Sequence, residues 1–397
     1  MKILHTSDWH LGAKLEGVSR LSEQEKTLDE IVRIADEELV DIVIIAGDVF
    51  NSKTPSSETE DLFFKALSKL SDNSNRLIFV LSGNHDDPLR LSASRPLAQK
   101  YNIVFATGLD PISVTQTNLN AKTRIIDSGF GFIKVKHGDE YAVISYLPFI
   151  APNSLMELAK TEDYNEGVKL LSTRASEAFN QDSLNIFVSH LFLKGGAVNQ
   201  SGETLGGANE VSAQNLPRNA HYIALGHLHS AQKIGDNCYY SGSITELRTK
   251  DARPQVNIIT GDKTGVLDNK NIKLKSAVRV KEIVADNVAL AYKLVSEEDR
   301  NDYIYLTIKH FDALKSTFVR ELRRDFPNIV SLKLITDRDQ EIESEFVDFK
   351  KMGLKELFVE FCKYQTGSEP SKELVDLFMK CGGEDYDSFE TDDWWNK

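Results

Sequence analysis

The sequence predicts an α/β fold on three observations. Short β-branched runs dominate the first 260 residues, amphipathic helical stretches separate the first three of them, and polar residues follow directly on the strand ends. Strand and helix alternating in this way build a sheet layered with helices.

The run "KILHTSD" is the first strand. A helix follows over "SEQEKTLDEIVRIADEEL", because Leu28, Ile31, Ala35 and Leu39 recur at spacings of three and four. After the second strand, "DIVIIAGD", the stretch "SSETEDLFFKALSKL" places Ser57 three before Glu60, which reads as a capping box opening a second helix. "RLIFVLSGNHD" is the third strand, and "EYAVISYLP", "LNIFVSH" and "HYIALGHLH" continue the series. A second unit begins near residue 275. There "DYIYLTIKH", the helical "DALKSTFVRELRRDF" stopped by Pro327, and "IVSLKLI" make a small βαβ-like module. Its helix carries Arg320, Arg323 and Arg324, which read as a solvated face, with DNA contact as the alternative.

From about Phe346 the pattern turns helical, with Phe346, Phe349, Leu354, Leu357, Phe358 and Phe361 at approximate three and four spacing. A second short helix, "SKELVDLFMKC", follows Pro370. The two helices either pack on each other or offer an aromatic stripe to a partner helix. The closing "GGEDYDSFETDDWWNK" is acidic and expected to be disordered, with Trp394 and Trp395 able to anchor a contact.

Bulk properties narrow the class. A chain of 397 residues exceeds one ordinary core and predicts two or three structural units. Hydrophobic content of 41% with 27% charged residues suits a water-soluble globular protein, and no apolar run reaches the ~20 residues of a membrane helix. The opening "MKILHTSDWH" lacks the character of a signal peptide, so a cytoplasmic location is expected. Cys238, Cys362 and Cys381 are odd in number and fit no metal spacing, as expected of reduced thiols. The net charge of -13 argues against a generic basic nucleic-acid binder. Residues 341–397 hold 15 acidic and 7 basic residues, however, which leaves the rest near neutral and compatible with phosphate binding.

The chemistry follows the strands. The first ends in Asp8 and His10, the second in Asp48, the third in Asn84, His85, Asp86 and Asp87; later ones end in His190 and in His227 and His229. Ligands of α/β sheets bind at the carboxyl ends of strands, so these groups should converge on one edge. Any one of them alone reads as a turn residue, a helix cap or a satisfied histidine. Five of the nine histidines fall in these positions, however, and turn chemistry does not explain them. Imidazole mixed with carboxylate and one amide, without cysteine, suits Mn²⁺, Fe²⁺ or Zn²⁺ in a hydrolytic centre. Gly47, Gly83 and Gly226 each precede a proposed ligand, where a missing Cβ lets the strand end turn sharply. His227 and His229, two apart in extended chain, project to one side and can serve neighbouring ions, which implies two metals.

Taken in order, "DWH", "GDVF", "GNHD", a lone "SH" and "GHLH" resemble the five motifs of the calcineurin-like metallophosphoesterase superfamily. The stretches "ILHTSDWHLG", "AGDVFNSKTPS", "GNHDDPLRL" and "SHLF" through "GGANEVSAQNLP" to "ALGHLH" are similar to its DNA nuclease branch, whose members work with a coiled-coil ATPase. The resemblance implies a two-sheet α/β/β/α sandwich over residues 1–270, a small α+β capping and DNA-binding domain over 275–340, an ATPase-binding helix-loop-helix segment over 341–383, and the acidic tail over 384–397. It implies that one metal is held by Asp8, His10 and His229 and the other by Asn84, His190 and His227, with Asp48 bridging. His85 would contact the scissile phosphate, and Asp86 would orient His85. Mn²⁺ is the implied ion. The implied partners are DNA, the ATPase subunit and a second copy of the chain within a heterotetramer, in the nucleoid rather than at a membrane. Two positions depart from the branch: Asn51 stands where Asp is frequent after "GDxF", and His221 stands where Asp is frequent before "YIALGHLH".

Two other readings compete. A stand-alone phosphoesterase for small phosphodiesters or phosphoproteins usually continues the second motif with a "DRG"-like segment, whereas this chain has "GDVFNS". A scaffold with a decayed site conflicts with seven filled ligand positions.

Overall fold

The computed structural model describes residues 1–113, 121–196, 209–247, 253–309, 316–335, 355, 358–359, 361–362 and 370–382. The chain divides into two compact units, Met1–Ile308 with Lys315–Lys333, and Lys309–Leu314 with Leu334–Lys397.

The first unit is built on two facing sheets. One has six strands in the order β15 (Gly265–Lys273), β14 (Gln255–Asp262), β1 (Lys2–Thr6), β4 (Ile42–Ala46), β5 (Leu77–Leu81) and β6 (Ile103–Ala106). β1, β4, β5 and β6 are mutually parallel, β14 pairs antiparallel with β1 and β15 antiparallel with β14, while β2 (Lys14–Leu15) and β3 (Val18–Ser19) pair antiparallel in a separate two-stranded ribbon. The other sheet has seven strands in the order β12 (Gln232–Ile234), β13 (Cys238–Tyr240), β11 (Tyr222–Gly226), β10 (Leu184–His190), β9 (Glu140–Leu147), β8 (Phe132–His137) and β7 (Thr123–Gly129). Its centre, β9, β10 and β11, is also parallel.

Side-chain alternation assigns the layers. In β4 and β5, Ile42, Ile44, Leu77, Phe79 and Leu81 pack between the sheets against Ile133, Val135, Ile144, Ile186 and Val188. The alternate residues Val43, Ile45, Ile78 and Val80 pack on Leu28, Ile31, Ile34, Phe63 and Leu67, from α1 (Leu21–Glu37) and α2 (Ser57–Leu70). Val168 and Leu171, from α6 (Tyr164–Ala175), reach the first cluster from the far side of the second sheet. The expected four-layer α/β/β/α sandwich is therefore present.

Two local expectations need correction. Leu39 is not part of the buried stripe of α1: it lies beyond the helix end with φ 53° and is 77% exposed, while Ile34 is buried. The cap of α2 is Ser56 rather than Ser57, because Ser56 is the extended residue whose Oγ accepts the Thr59 amide at 3.3 Å.

A three-stranded sheet of β16 (Val280–Ala285), β17 (Tyr303–Ile308) and β18 (Ile329–Leu334) follows, with α7 (Val288–Ser296) and α8 (Ser316–Asp325). The strand, helix, strand expectation holds for β17, α8 and β18, and β16 with α7 adds to it. Arg320, Arg323 and Arg324 are exposed, as a solvated face requires. In the second unit α9 (Lys372–Gly382) is described, and the Phe358 ring stacks on Phe378 with centroids 3.8 Å apart. Phe346, Phe349, Leu354, Leu357, Trp394 and Trp395 lie outside the described residues. No helix among the described residues is long and apolar enough to cross a membrane.

One buried group ties the sheets together and carries a stability prediction. His5 of β1 places Nε2 3.2 Å from the Leu225 carbonyl and Nδ1 3.0 Å from the Tyr222 hydroxyl. The carbonyl can only accept, so Nε2 donates, and the full burial of the ring favours its neutral form. Burial lowers its pKa from 6.5 to about 3. A histidine depressed in the folded state contributes stability above pH 6.5 that is lost as pH falls towards 3, at ~1.4 kcal/mol per unit. Urea unfolding at pH 6.5 and pH 5 should reveal a loss of roughly 2 kcal/mol from this group. The variant His5→Gln is expected to flatten that slope, and an unchanged slope would refute the assignment.

Candidate metal centre

The parallel register sets the site. Thr6 pairs with Ile45, Ala46 with Leu81, and His190 with Gly226, so the carboxyl ends of β1, β4 and β5 lie level and those of β10 and β11 do likewise. The loops leaving them are knitted by backbone bonds, Asp8 N to Gly47 O at 3.0 Å and His10 N to Asp48 O at 3.0 Å. Asp8, His10, Asp48 and His227 have positive φ of 51°, 44°, 49° and 102°. Left-handed backbone at four non-glycine residues is costly and marks a site whose geometry is imposed by its surroundings.

All seven proposed donors are brought together. Donor atoms of Asp8, His10 and His229 lie within 4.8 Å of one another, as do those of Asp8, Asp48 and His190. His10 Nε2 stands 3.2 Å from His229 Nε2. In the other half, Asn84 Oδ1 is 3.0 Å from His190 Nε2 and 3.1 Å from His227 Nδ1. Asp48 Oδ2 lies between the halves, 3.3 Å from His190 Nε2 and 3.7 Å from His10 Nε2.

The glycines act by leaving space. A Cβ on Gly226 would stand 1.9 Å from the Ala46 carbonyl, and one on Gly83 would stand 2.1 Å from Asp48 Oδ1. Only Gly47, at φ 90°, also needs the sharp turn expected of all three.

The electrostatics without a cation describe a charged, buried pocket. Burial alone would raise Asp48, but His190, His10 and His85 around it hold it well below the usual carboxylate range. Burial would likewise depress His190, yet the Asp48 carboxylate beside it pushes it up to about 9. Burial lowers His227 to about 3, with His190 adding repulsion, and burial depresses His10 well below its ordinary value despite Asp48. Asp8 is raised to about 6 by burial and by Asp48, against the opposing pull of His190, His229 and Ser7.

The residues fit divalent cations. His227 Nε2 and His10 Nδ1 are buried nitrogens with no partner among the described residues. The Ala46 carbonyl, 2.9 Å from His190 Nδ1, fixes the proton there and leaves Nε2 facing the Asn84 and Asp48 oxygens as a ligand atom. Cation entry would displace the second His190 proton.

Of the remaining predicted residues, His85 sits at the rim and Asp86 is buried beneath it in the chain turn. His85, with 43% of its side chain exposed, has Nε2 3.9 Å from Asp48 Oδ2 and its ring 4.9 Å from that of His10. Its Nδ1 is met by the Asn51 carbonyl at 3.1 Å. Here the expectation for Asp86 needs correction. The buried Asp86 carboxylate accepts the amides of Gly83, Phe50 and Val49 at 2.8, 3.0 and 3.2 Å, so it shapes the turn that presents Asn84 and His85 rather than orienting the His85 ring. Burial and the Asp48 charge raise it to about 6. Asp87 caps the short helix α3 (Pro88–Ser92) through the Arg90 amide at 2.8 Å. The two sequence departures are structural: Asn51 meets His85 through its backbone, and His221 Nδ1 accepts the Asn185 amide at 3.1 Å. Sequence reasoning missed Ser7, whose Oγ reaches Asp8 at 2.5 Å and Ser241 at 2.8 Å; a serine beside a ligand has no pattern to mark it.

The calcineurin-like phosphoesterase family matches residues 1–231. The chain is 31% identical over 390 residues to the SbcD component of the SbcCD nuclease of Bacillus subtilis, spanning 96% of this chain and 97% of that one. It is 26% identical over 375 residues to the SbcD component of the same nuclease in Staphylococcus saprophyticus, spanning 92% and 94%. The chain belongs to the calcineurin-like phosphoesterase family, in the branch of the SbcD nucleases.

Proposed function

We propose that this chain is a DNA nuclease dependent on two divalent metal ions, most simply Mn²⁺, acting as a double-strand 3′–5′ exonuclease and single-strand endonuclease. The observation that carries the reading is the buried donor cluster with one exposed imidazole, His85, at its rim. Asp8, His10 and His229 would hold one ion, Asn84, His190 and His227 the other, and Asp48 both. Ions so held supply Lewis acidity towards phosphoryl oxygens and lower the pKa of water. The protein's part is to depress His10 and His227 by burial, to fix the His190 tautomer from Ala46 O, and to set His85 where it can meet a leaving oxygen.

In this proposal residues 1–270 form the nuclease domain and 275–340 a capping domain over the DNA. The segment 341–383 docks an SbcC-type coiled-coil ATPase, with 384–397 as an acidic tail. The chain works as a homodimer within a heterotetramer, in the nucleoid, in DNA end processing, hairpin cleavage, repair and recombination. Support comes from the similarity to the SbcD nucleases, which extends past the phosphoesterase match to almost the whole chain.

Incubation with blunt duplex, hairpin and single-stranded DNA and with p-nitrophenyl phosphates, under Mn²⁺, Mg²⁺ or EDTA, tests the reading. DNA cleavage with Mn²⁺ and none with EDTA is expected. Turnover of the p-nitrophenyl phosphates alone would favour a stand-alone small-substrate phosphoesterase.

A further inference from the structure

The first turn of α1 is gripped from two sides by residues that belong to no ligand set. On one side is Gln24, whose side chain is fully buried. Its Nε2 donates to the His10 carbonyl at 2.8 Å and to that of Trp9 at 3.4 Å, and its Oε1 accepts the Gly12 amide at 3.0 Å. The loop held in this way contains His10, a ligand in left-handed backbone, and a conformation that costly persists only where neighbours enforce it.

The other side faces the segment that leads into β16. Glu23, adjacent in sequence to Gln24 and also buried, receives both Arg20 Nε and Nη2 at 2.8 Å and accepts the Val278 amide at 3.0 Å. Glu30 accepts the Ser276 amide at 2.8 Å, and Glu246 accepts the Val280 amide at 2.9 Å. Three amides of this segment, at 276, 278 and 280, each end on a carboxylate. Arg20 joins two of these anchors, since Nη1 donates to the Glu246 carbonyl at 2.5 Å. Its guanidinium also lies 5.2 Å from the centroid of the Tyr303 ring on β17. One helical turn thus holds a metal-ligand loop by Gln24 and the root of the three-stranded sheet by Arg20 and Glu23.

We propose that this turn is a shared mount, in which Gln24 positions the His10 loop for its cation and the Arg20, Glu23 and Glu246 clamp couples that loop to the seat of the three-stranded sheet. A purely structural role would lower stability without singling out one ion. The shared mount instead weakens the cation on Asp8, His10 and His229 and spares the one on Asn84, His190 and His227. The inference rests on the two-metal reading above.

Mn²⁺ binding to the full chain, followed by electron paramagnetic resonance and calorimetry, tests it without reference to cleavage. Gln24→Met, which keeps bulk and removes the hydrogen bonds, is expected to weaken one of the two ions by about 10- to 100-fold, the usual cost of losing an outer partner of a ligand. Glu23→Gln should weaken the same ion by a smaller factor, and the double variant should fall short of the product of the two. Glu246→Gln takes the place of Glu23→Gln if the latter does not fold. Thr123→Val, which breaks the 2.7 Å contact to His137 between β7 and β8, serves as a control that costs stability and moves neither affinity. Folded variants with both affinities within twofold of wild type, or with both weakened alike, would overturn the proposal. A wild-type chain that binds no Mn²⁺ sinks the metal reading and this inference with it; Mn²⁺ bound without DNA cleavage sinks the nuclease reading alone.

Discussion

The variant His85→Ala is expected to lower DNA cleavage by about 10²- to 10⁴-fold, the range for a lost general acid, while both Mn²⁺ affinities stay within a few-fold of wild type. The separation follows from how His85 is attached. Its backbone amide donates to Asp48 Oδ1 at 2.9 Å, and this bond survives truncation of the ring, so the carboxylate proposed to bridge the ions stays in place. The ring itself meets a backbone carbonyl, Asn51 O, at its Nδ1. With one proton held there, Nε2 faces the open rim and Asp48, and a general acid at this position would give up the second proton of the imidazolium from that atom. Asp86 is untouched by the change, because it braces Gly83, Val49 and Phe50 rather than the ring. Single-turnover cleavage with Mn²⁺, measured beside metal content by mass spectrometry, checks both halves of the statement. Near-full activity in the variant removes His85 from the chemistry, and loss of metal in parallel makes it a ligand instead.

Much of the site is legible in the sequence because its logic is local. A parallel strand must end at one edge, so Asp8, Asp48, Asn84, His190 and His227 had only to be read as the residues following apolar runs, and the sheet registers bring them level. The layers are legible for the same reason, since Ile42, Ile44 and Phe79 alternate with Val43, Ile45 and Val80 between two different cores. Residues acting through long-range backbone contacts are not legible. Asp86 carries the side chain of an orienting carboxylate, and only the folded turn reveals that its partners are amides. Gln24 lies on the buried side of an amphipathic helix as a polar exception, and nothing within reach of its own sequence neighbours indicates the His10 carbonyl 14 positions earlier. The glycines were found for an incomplete reason. Spacing marks Gly83 and Gly226 as positions before a ligand, but the requirement is the nearness of Asp48 and Ala46 from another strand.

The variant Asp48→Ala is expected to lose both ions and, with them, all measurable cleavage. Asp48 leaves β4 facing imidazoles from three other strand ends, with His190, His10 and His85 nitrogens 3.3, 3.7 and 3.9 Å from one carboxylate oxygen. Those imidazoles already hold it ionised against a burial that would otherwise favour the neutral acid. Removing the anion proposed to be shared would leave each proposed ligand set with two imidazoles and one further oxygen, from Asp8 or from neutral Asn84, and would leave His190 without the charge that raises it. Loss of an outer partner of a ligand costs ~10- to 100-fold in affinity, so loss of a carboxylate serving two ions directly should exceed about 100-fold for each. Asp48→Asn separates charge from shape: it keeps an oxygen for the His85 amide and the volume beside Gly83, where a Cβ would meet the carboxylate at 2.1 Å, but brings no negative charge. It should therefore fold like wild type in the absence of metal and still bind Mn²⁺ poorly. Calorimetric titration with Mn²⁺ checks the pair of variants. Two ions retained by Asp48→Asn with affinities within tenfold of wild type would mean that the carboxylate shapes the loop without bridging the metals.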